Sequence, residues 1–470
     1  MIDMTVEYRI ETDNQGALVI ASDYISRAER MSAGQDRRKE VPRGSHAGWS
    51  PPPERRDPVE ILEETNQGRV TDLIPIRYGR MLAGPFPFLR GSAALMAEDL
   101  ASTPTSGIRV QACGDCHLLN FGLFASPERN LFFGINDFDE TLNAPFEWDV
   151  KRLAVSFMVA GQANGYTSKV SSGVVASMVR SYREYMAHLA TMRAIDVWYT
   201  RLTGDLLLEK SPTEKERRYQ EVMLAKARKR VAEYVFPKLT AEVNGRRRFV
   251  DQPPLIHHKD WNREQFENLI HFFDQYRESL LADRRVILDR YRMVDIAFKV
   301  IGIGSVGTRC YVVLLLAEDG DPLILQVKEA RHSVLEPFAG AGLYEQQGRR
   351  VVEGQRLTQA ASDIFLGWFT SQDGTDYYVR QLRDMKYAYD PAGVSPVRLA
   401  NYARFCGWNL ARAHAKSGDA AEITGYVGKT DAFDRAIISF AGDYAKQNRR
   451  DYDLFRKGVK EGRIAATPGF

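Results

Sequence analysis

Apolar and polar residues follow two periods along this chain, and the switches between them mark out its elements. Residues 93–100 carry apolar side chains at helical spacing and stop at Thr103-Pro104. Strand-like segments follow around Val110 and over 131–135, and Trp148-Asp-Val-Lys-Arg-Leu-Ala-Val-Ser-Phe starts a long helical region. Residues 168–291 read as helices, with breaks near Thr203-Gly204, Ser211-Pro212 and Gln252-Pro-Pro254. The texture then changes. Residues 296–301, 310–317 and 323–328 predict an antiparallel series, with its second turn at Glu318-Asp-Gly-Asp321. A helix is predicted over about 343–361, strands over 364–370 and 377–382, and helices again over 396–416 and 432–457. Two stretches show neither period. Residues 34–58, rich in Gly, Pro and charge, predict an extended arm, and 85–91 a short loop.

These elements make an α+β chain, and composition narrows the picture only a little. At 470 residues, 44% hydrophobic and 27% charged, the chain is ordinary globular material, long enough for several domain-sized units. Its net charge, 64 − 61 = +3, sets up no field that selects nucleic acid or an anionic membrane. One stretch is basic, with eleven Lys or Arg against five Asp or Glu between Thr213 and Arg248. It reads as a solvated helix face, with a phosphate, RNA or acidic-partner patch as the lesser reading. No uncharged apolar run reaches the ~18 residues of a membrane span, and the first residues lack the layout of a secretory signal. Four cysteines in so long a chain make no disulfide framework, so the expected compartment is the reducing cytoplasm.

Candidate chemistry concentrates in Cys113-Gly-Asp-Cys-His-Leu-Leu-Asn120 and Asn136-Asp-Phe-Asp-Glu140. Cys113-x-x-Cys116-His117 has the spacing of a c-type haem attachment, and its cysteine pair that of a thioredoxin-like motif. The surroundings favour neither. No axial ligand is singled out, and no second CxxC completes a zinc site. A loop and strand follow where a redox pair wants a helix N-terminus. The same residues also offer Asp115 five positions before Asn120, with Asp137 behind a strand. A base or orienting carboxylate, an amide and a metal carboxylate are the parts that phosphoryl transfer needs.

Gly302-Ile-Gly-Ser-Val-Gly307 fits GxGxxG, but a strand rather than a helix follows it, which argues against a dinucleotide-binding turn. The loop reads instead as a hairpin in which Gly302, Gly304, Ser305 and Gly307 let backbone amides approach nucleotide phosphates. Lys328 on the next strand stands where a lysine grips such phosphates, although a solvent-facing lysine at a strand end fits the local pattern too. Its expected carboxylate partner is Glu353, with Glu345 as the alternative. Gln381 and Leu382, in Gln381-Leu-Arg-Asp384, would form a hinge whose backbone binds adenine.

This set resembles the choline-kinase and aminoglycoside-phosphotransferase branch of the protein-kinase-like superfamily, where the loop reads HGDxHxxN and the metal strand I-D-F or I-D-W. Cys113 here replaces the leading His, and Ile135-Asn-Asp-Phe-Asp139 corresponds to the metal strand. Trp148-Asp149 resembles the helix-start Asp that steadies the catalytic loop. Leu410-Ala-Arg-Ala-His414 resembles the helix that runs into that loop. The order differs, because the glycine loop and Lys328 follow the catalytic loop instead of preceding it. A circular permutation, cut between the helix ending near Lys416 and the loop near Cys113, accounts for the difference. With Ile76-Arg-Tyr-Gly-Arg-Met81 and Pro85-Phe-Pro-Phe-Leu-Arg-Gly91, nearly the whole chain also resembles a bacterial family, domain of unknown function 2252.

The resemblance implies an α+β, two-lobed, protein-kinase-like fold, circularly permuted. It would have an N-terminal arm and helical extension (1–100), and a C-lobe part with catalytic and metal loops (101–293). A mostly antiparallel N-lobe sheet (294–386) and completing C-lobe helices (387–470) would follow. The implied activity is an ATP- and Mg²⁺-dependent phosphotransferase acting on a hydroxyl of a small molecule or protein. Asp115 would orient or deprotonate the acceptor, Asn120 and Asp137 would hold Mg²⁺ with Asp139 as a further ligand, and Lys328 with Glu353 would position the phosphates. Two alternatives keep the fold. In one the nucleotide binds inverted and AMP is transferred to a protein; in the other a catalytically silent nucleotide-binding module orders a partner surface. Acceptor walls are expected from residues 1–100 and 150–291.

Overall fold

A computed structural model describes residues 8–12, 18–22, 25–382 and 385–469. Arg383 and Asp384 of the expected hinge lie outside the described residues. Strands β1 (Arg109–Ala112), β2 (Phe121–Ala125), β3 (Leu131–Ile135) and β4 (Leu142–Pro145) make two antiparallel pairs, β1 with β4 and β2 with β3. The outer pair closes the excursion between residues 112 and 142, so the Cys113 and Asp137 loops emerge side by side. Helix α1 (Phe146–Ala163) follows directly and is buried on every side from Phe146 to Gly161. A helix buried all round belongs to the centre of a core. Helix α2 (Ser168–Leu189) starts at Thr167, whose hydroxyl accepts from the Val170 N–H.

The second half of the site stands on a six-stranded sheet. Its strands are β5 (Ile256–His257), β6 (Arg292–Lys299), β7 (Cys310–Leu316), β8 (Pro322–Glu329), β9 (Gly367–Thr370) and β10 (Asp376–Gln381), in the order β5-β6-β7-β8-β10-β9, with every pairing antiparallel. Helix α3 (Gln347–Thr358) joins β8 to β9. Alternation along β8 assigns its faces. Leu323 and Leu325 pack with Tyr276, Leu280 and Leu288, whereas Ile324 packs with Phe249 and Ile256 on the other side. Lys328 falls on the Ile324 face, further along the strand.

Helices α4 (Pro396–Ser417) and α5 (Ala432–Lys460) return to the core of α1, α2 and β1 to β4. Segments on both sides of the sheet in sequence therefore share one apolar interior. At Gly407 a Cβ would lie 2.1 Å from the Met178 carbonyl oxygen, so α4 crosses α2 at backbone contact. The end of α4 meets β1, where the Ser417 hydroxyl accepts from the Gln111 N–H at 3.2 Å.

Three expectations are corrected. Residues 85–91 are a helix, Pro85–Gly91, because Pro85 at its first turn starts rather than breaks it. Residues 34–40 belong to the helix Arg27–Glu40, and a Cβ on Gly34 would lie 2.0 Å from the Glu422 carbonyl oxygen. The supposed arm is docked, and its glycine makes the docking possible. The basic stretch is helical only in part. After Glu214–Arg228 and Ala232–Leu239 it forms a hairpin, Thr240–Val243 with Arg246–Phe249. Asn244-Gly245 turns that hairpin with both φ positive, at 51° and 73°. Among the described residues no helix is long and apolar enough to cross a membrane.

Candidate functional site

Asp149, near the start of α1, fixes the Cys113 loop. Its carboxylate accepts the Cys113 N–H at 2.6 Å and the Gly114 N–H at 3.0 Å, and it meets His414 Nε2 at 3.3 Å. Gly114 sits at φ 84°, where a Cβ would be 2.2 Å from the Glu140 carbonyl oxygen. Glycine there lets the 113–120 and 136–140 loops touch. Asp115 then faces the cleft, held by Arg152 Nε at 2.7 Å, with His117 Nε2 at 3.7 Å. Burial lowers the pKa of His117 to about 4, so its imidazole is neutral near pH 7.

Asn120 donates from Nδ2 to the Asp115 carbonyl at 2.6 Å, so Oδ1 is the atom it could offer to a cation. Asp137 presents a buried Oδ1 with no hydrogen-bond partner. Burial opposes its charge, but Lys328, Arg380 and Lys386 overcome that and hold its pKa well below the usual carboxylate range. An ionised carboxylate with an unsatisfied buried oxygen fits a cation. Mg²⁺ takes one or two carboxylates together with substrate phosphates, and Asp137 with Asn120 matches that donor set. Among the described residues no three His, Cys, Asp or Glu side chains gather as a metal cluster, so a zinc-type site at Cys113 and Cys116 has no ligand set. Both thiols are free and buried. The Cys113 thiol is pulled down by its hydrogen bond with Cys116, yet burial and the carboxylates of Asp149, Asp115 and Asp137 push it up to about 11.

Asp139, expected as a further metal ligand, is engaged by side chains of the sheet and its glycine loop. Its Oδ2 accepts from Lys328 Nζ, its Oδ1 accepts from the Tyr378 hydroxyl at 2.7 Å, and Ser305 Oγ lies 3.5 Å from Oδ2. Burial works against the charge on Lys328, but Asp139, Tyr378 and Asp137 raise its pKa above the ordinary lysine value. Asp139 is thus the lysine's partner. The structure does not bring Glu353 to Lys328: its carboxylate bonds Arg356 at 3.0 Å, and Glu345 is exposed. The side chain α3 sends here is Arg350, which donates to the Asp139, Thr141 and Arg331 carbonyls at 2.8, 2.6 and 2.7 Å.

The glycine loop spans β6 and β7 as a hairpin, with Gly302 and Gly307 at φ 67° and 90°. Residues near the N-terminus bind its carbonyls. Val70 N–H donates to Gly307 at 2.8 Å, Arg69 to Val306 at 2.6 Å, and Arg80 to Gly302. The amides of Gly302, Ile303, Gly304 and Ser305 have no acceptor among the described residues. Successive unspent amides make an anion-binding concavity. The loop roofs a cleft of about 470 Å³ lined by Asp115, Asn120, Asp137, Asp139, Gly302, Gly304 and Ser305.

The expected hinge lies elsewhere. The Leu382 N–H donates to the Ile324 carbonyl at 3.0 Å, and the Gln381 N–H to the Asp363 carboxylate, so both amides are already satisfied. Gln381 borders a separate cavity of only about 50 Å³. Arg380 and Gln326, joined at 3.0 Å, fill the sheet face beside it, with Phe249 and Ile256 beneath Ile324. Residues from 65–94 line this cleft and none from 150–291 does, whereas residues 259–276 border a separate cavity of about 500 Å³. The reading of the chain also missed Arg152, Tyr378 and the cleft arginines Arg69, Arg77 and Arg90. Arg77 and Arg90 sit in the Ile76–Met81 and 85–91 segments, where a charge beside apolar helix positions was the available signal.

Fold and site together define an α+β protein whose polar cleft, between an antiparallel sheet and a helical core, gathers carboxylates and cations from distant parts of the chain. The chain belongs to the family of uncharacterized proteins conserved in bacteria, DUF2252, whose model matches residues 69–458. Neither the curated proteins nor the solved structures supply a match.

Proposed function

We propose that this protein is an ATP- and Mg²⁺-dependent phosphotransferase on a circularly permuted, protein-kinase-like fold. One observation carries the reading. Asp115, Asn120, Asp137 and Asp139 share a cleft with the glycine hairpin, Lys328 bonds Asp139 from behind although it lies 189 residues away in sequence, and Asp137 keeps an unpartnered oxygen there among the described residues. The sheet order, with α3 between β8 and β9, and the closure of α4 onto β1 support the permuted arrangement.

Mg²⁺ bound by Asp137 and Asn120 would neutralise charge on the transferring phosphoryl group. The remaining work falls to the protein's own groups. The free amides of Gly302 to Ser305 donate to phosphate oxygens. Lys328, anchored by Asp139, supplies a fixed positive charge at the cleft wall. Asp115, oriented by Arg152, accepts a hydrogen bond from the acceptor hydroxyl and aligns it for attack.

A second reading, AMP transfer, is favoured by one specific observation. The hinge amides are spent and the adjoining sheet face is filled, while the cleft opens toward residues 65–94. A nucleotide entering with its base on that side is inverted relative to kinases. Incubating the full chain with Mg²⁺ and ATP labelled at the α- or γ-phosphate, in cell extract, separates the readings. Transfer of γ-label that is lost in Asp137→Asn supports phosphoryl transfer. Transfer of α-label alone selects AMP transfer. Stabilisation by Mg-ATP with neither label transferred leaves a silent nucleotide-binding module.

A further inference from the structure

Three arginines in the cleft have no carboxylate partner. Arg69 follows a short helix, Arg77 lies in the helix Ile74–Met81, and Arg90 in Pro85–Gly91. Among the described residues none of the three has an acidic side chain within ion-pair distance, although all line the cleft that holds Asp115, Asp137 and Asp139. Of those carboxylates Asp115 is paired with Arg152 and Asp139 with Lys328, while Asp115 and Asp137 act on Arg90 only through their fields, without a hydrogen bond to it. The arginines bond only neutral oxygens. Arg69 donates to the Thr65 and Val306 carbonyls at 2.9 and 2.6 Å, and Arg77 donates to Asn66 Oδ1 and the Gly91 carbonyl at 2.6 and 2.9 Å. Arg90 makes no hydrogen bond among the described residues. The Nε atoms of Arg77 and Arg90 are buried without a partner, and Arg77 as a whole is 2% exposed.

Burying a cation without an anion is among the more expensive things a fold can do. Burial lowers the pKa of Arg77 to about 10, and it lowers those of Arg69 and Arg90 as well, yet a guanidinium at about 10 is still charged near pH 7. A charge kept on buried Arg77, with two more guanidinium groups lining the same cleft, fits a site where a ligand repays the desolvation. The roof points the same way. A Cβ on Gly304 would lie 3.3 Å from the Arg90 carbonyl oxygen, so the unspent amides of the glycine loop stand next to the arginines. Planar guanidinium forks and backbone amides together are a phosphate-binding chemistry.

We propose that Arg69, Arg77 and Arg90 form a receptor for a phosphate-bearing ligand, beside the glycine loop, with a diphosphate the best match to their combined charge. The site shares the cleft with the proposed phosphotransferase but requires no transfer reaction. Its ligand has two sources, the phosphate chain of the nucleotide or a phosphorylated acceptor.

Calorimetric titration of the full chain, without divalent cation, with pyrophosphate, ADP and glycerol phosphate tests this. Wild-type protein should bind pyrophosphate, and Arg90→Gln should weaken binding by about tenfold or more, the scale of a lost charge-assisted pair. Arg90 has no hydrogen bond to lose, so Arg90→Gln should keep its melting temperature. Arg90→Lys, which retains charge without the fork, should fall between the two. If ADP displaces pyrophosphate, the nucleotide is the source; if ADP and glycerol phosphate bind together, the acceptor is. Either pattern upholds the site. A wild-type chain that binds no pyrophosphate at millimolar concentration, or a folded Arg90→Gln that binds it equally well, overturns it. Pyrophosphate binding without any transfer from labelled ATP would leave this site standing and the phosphotransferase reading fallen.

Discussion

Replacing Asp149 probes whether the Cys113–Asn120 loop is held from behind by a single side chain. Its carboxylate is 1% exposed and accepts two backbone N–H groups, from Cys113 at 2.6 Å and Gly114 at 3.0 Å, besides meeting His414. Asp149→Ala leaves both donors buried without an acceptor. Each such group costs about 1–3 kcal/mol, so the variant should lose about 2–6 kcal/mol, less whatever a water in the vacated space recovers. Asp149→Asn keeps one acceptor oxygen and its volume, and should lose about half as much. Urea denaturation gives the midpoints, and hydrogen exchange of peptides spanning 110–120 locates the effect. Protection should fall at Cys113 and Gly114 in both variants, and further in the alanine variant. A loss in Asp149→Ala below about 1 kcal/mol, with loop exchange unchanged, would refute the tether.

Burial raises the pKa of Glu140 to about 7, above its unfolded value, so the native state binds more protons between the two. Wild-type stability should therefore fall as pH rises through that window, and Glu140→Gln should be the more stable form near pH 8 but not near pH 5; melting temperatures that run parallel across the series would contradict this. Glu353→Gln breaks only the pair with Arg356, so it should cost about 0.2–0.5 kcal/mol and leave stabilisation by Mg-ATP intact. A tenfold loss of Mg-ATP affinity in that variant would return Glu353 to the lysine. Gly407→Ala forces a Cβ to 2.1 Å from the Met178 carbonyl and should destabilise the α2–α4 crossing by about 1–3 kcal/mol or more, read from thermal melts. An unchanged melting temperature would mean that the helices part without cost.

Much of the sheet was legible because its signals are local. Residues 310–316 and 322–327 are short, mostly apolar runs about an Asp-Gly turn, and the glycine hairpin declares itself by the strand that follows it. Asp149 was legible only through the resemblance of Trp148-Asp149 to a helix-start Asp, because the N–H groups it accepts, those of Cys113 and Gly114, lie 36 and 35 residues away. What failed was whatever depended on packing. Gly34 and Pro85 look like breakers in sequence, yet one permits a close helix contact and the other begins a helix. The hinge failed because the amides of Gln381 and Leu382 find acceptors in Asp363 and Ile324, and no local pattern encodes that. Arg69, Arg77 and Arg90 come from three short elements that meet only in the folded chain.

The partner of Lys328 shows how far spacing can carry a chemical assignment. Asp137 and Asp139 are the same residue type, two positions apart, with the fully buried Phe138 between them. Sequence gives them one shared role, as ligands to metal. The fold separates them. Strand β8 sends Lys328 and β10 sends Tyr378, paired with it in register, onto the oxygens of Asp139, and Ser305 approaches the same carboxylate from the roof. Asp137, one alternation deeper, meets no donor at Oδ1 but lies in the field of Lys328, Arg380 and Lys386, which keeps it ionised. A saturated carboxylate is a joint, and an ionised one with a spare oxygen is a ligand. Each contact that makes this distinction spans more than 150 residues of chain, so it exists only once the sheet has docked on the helical core. Asp139 therefore joins the two halves of the site, and the proposed cation would fall to Asp137 with Asn120.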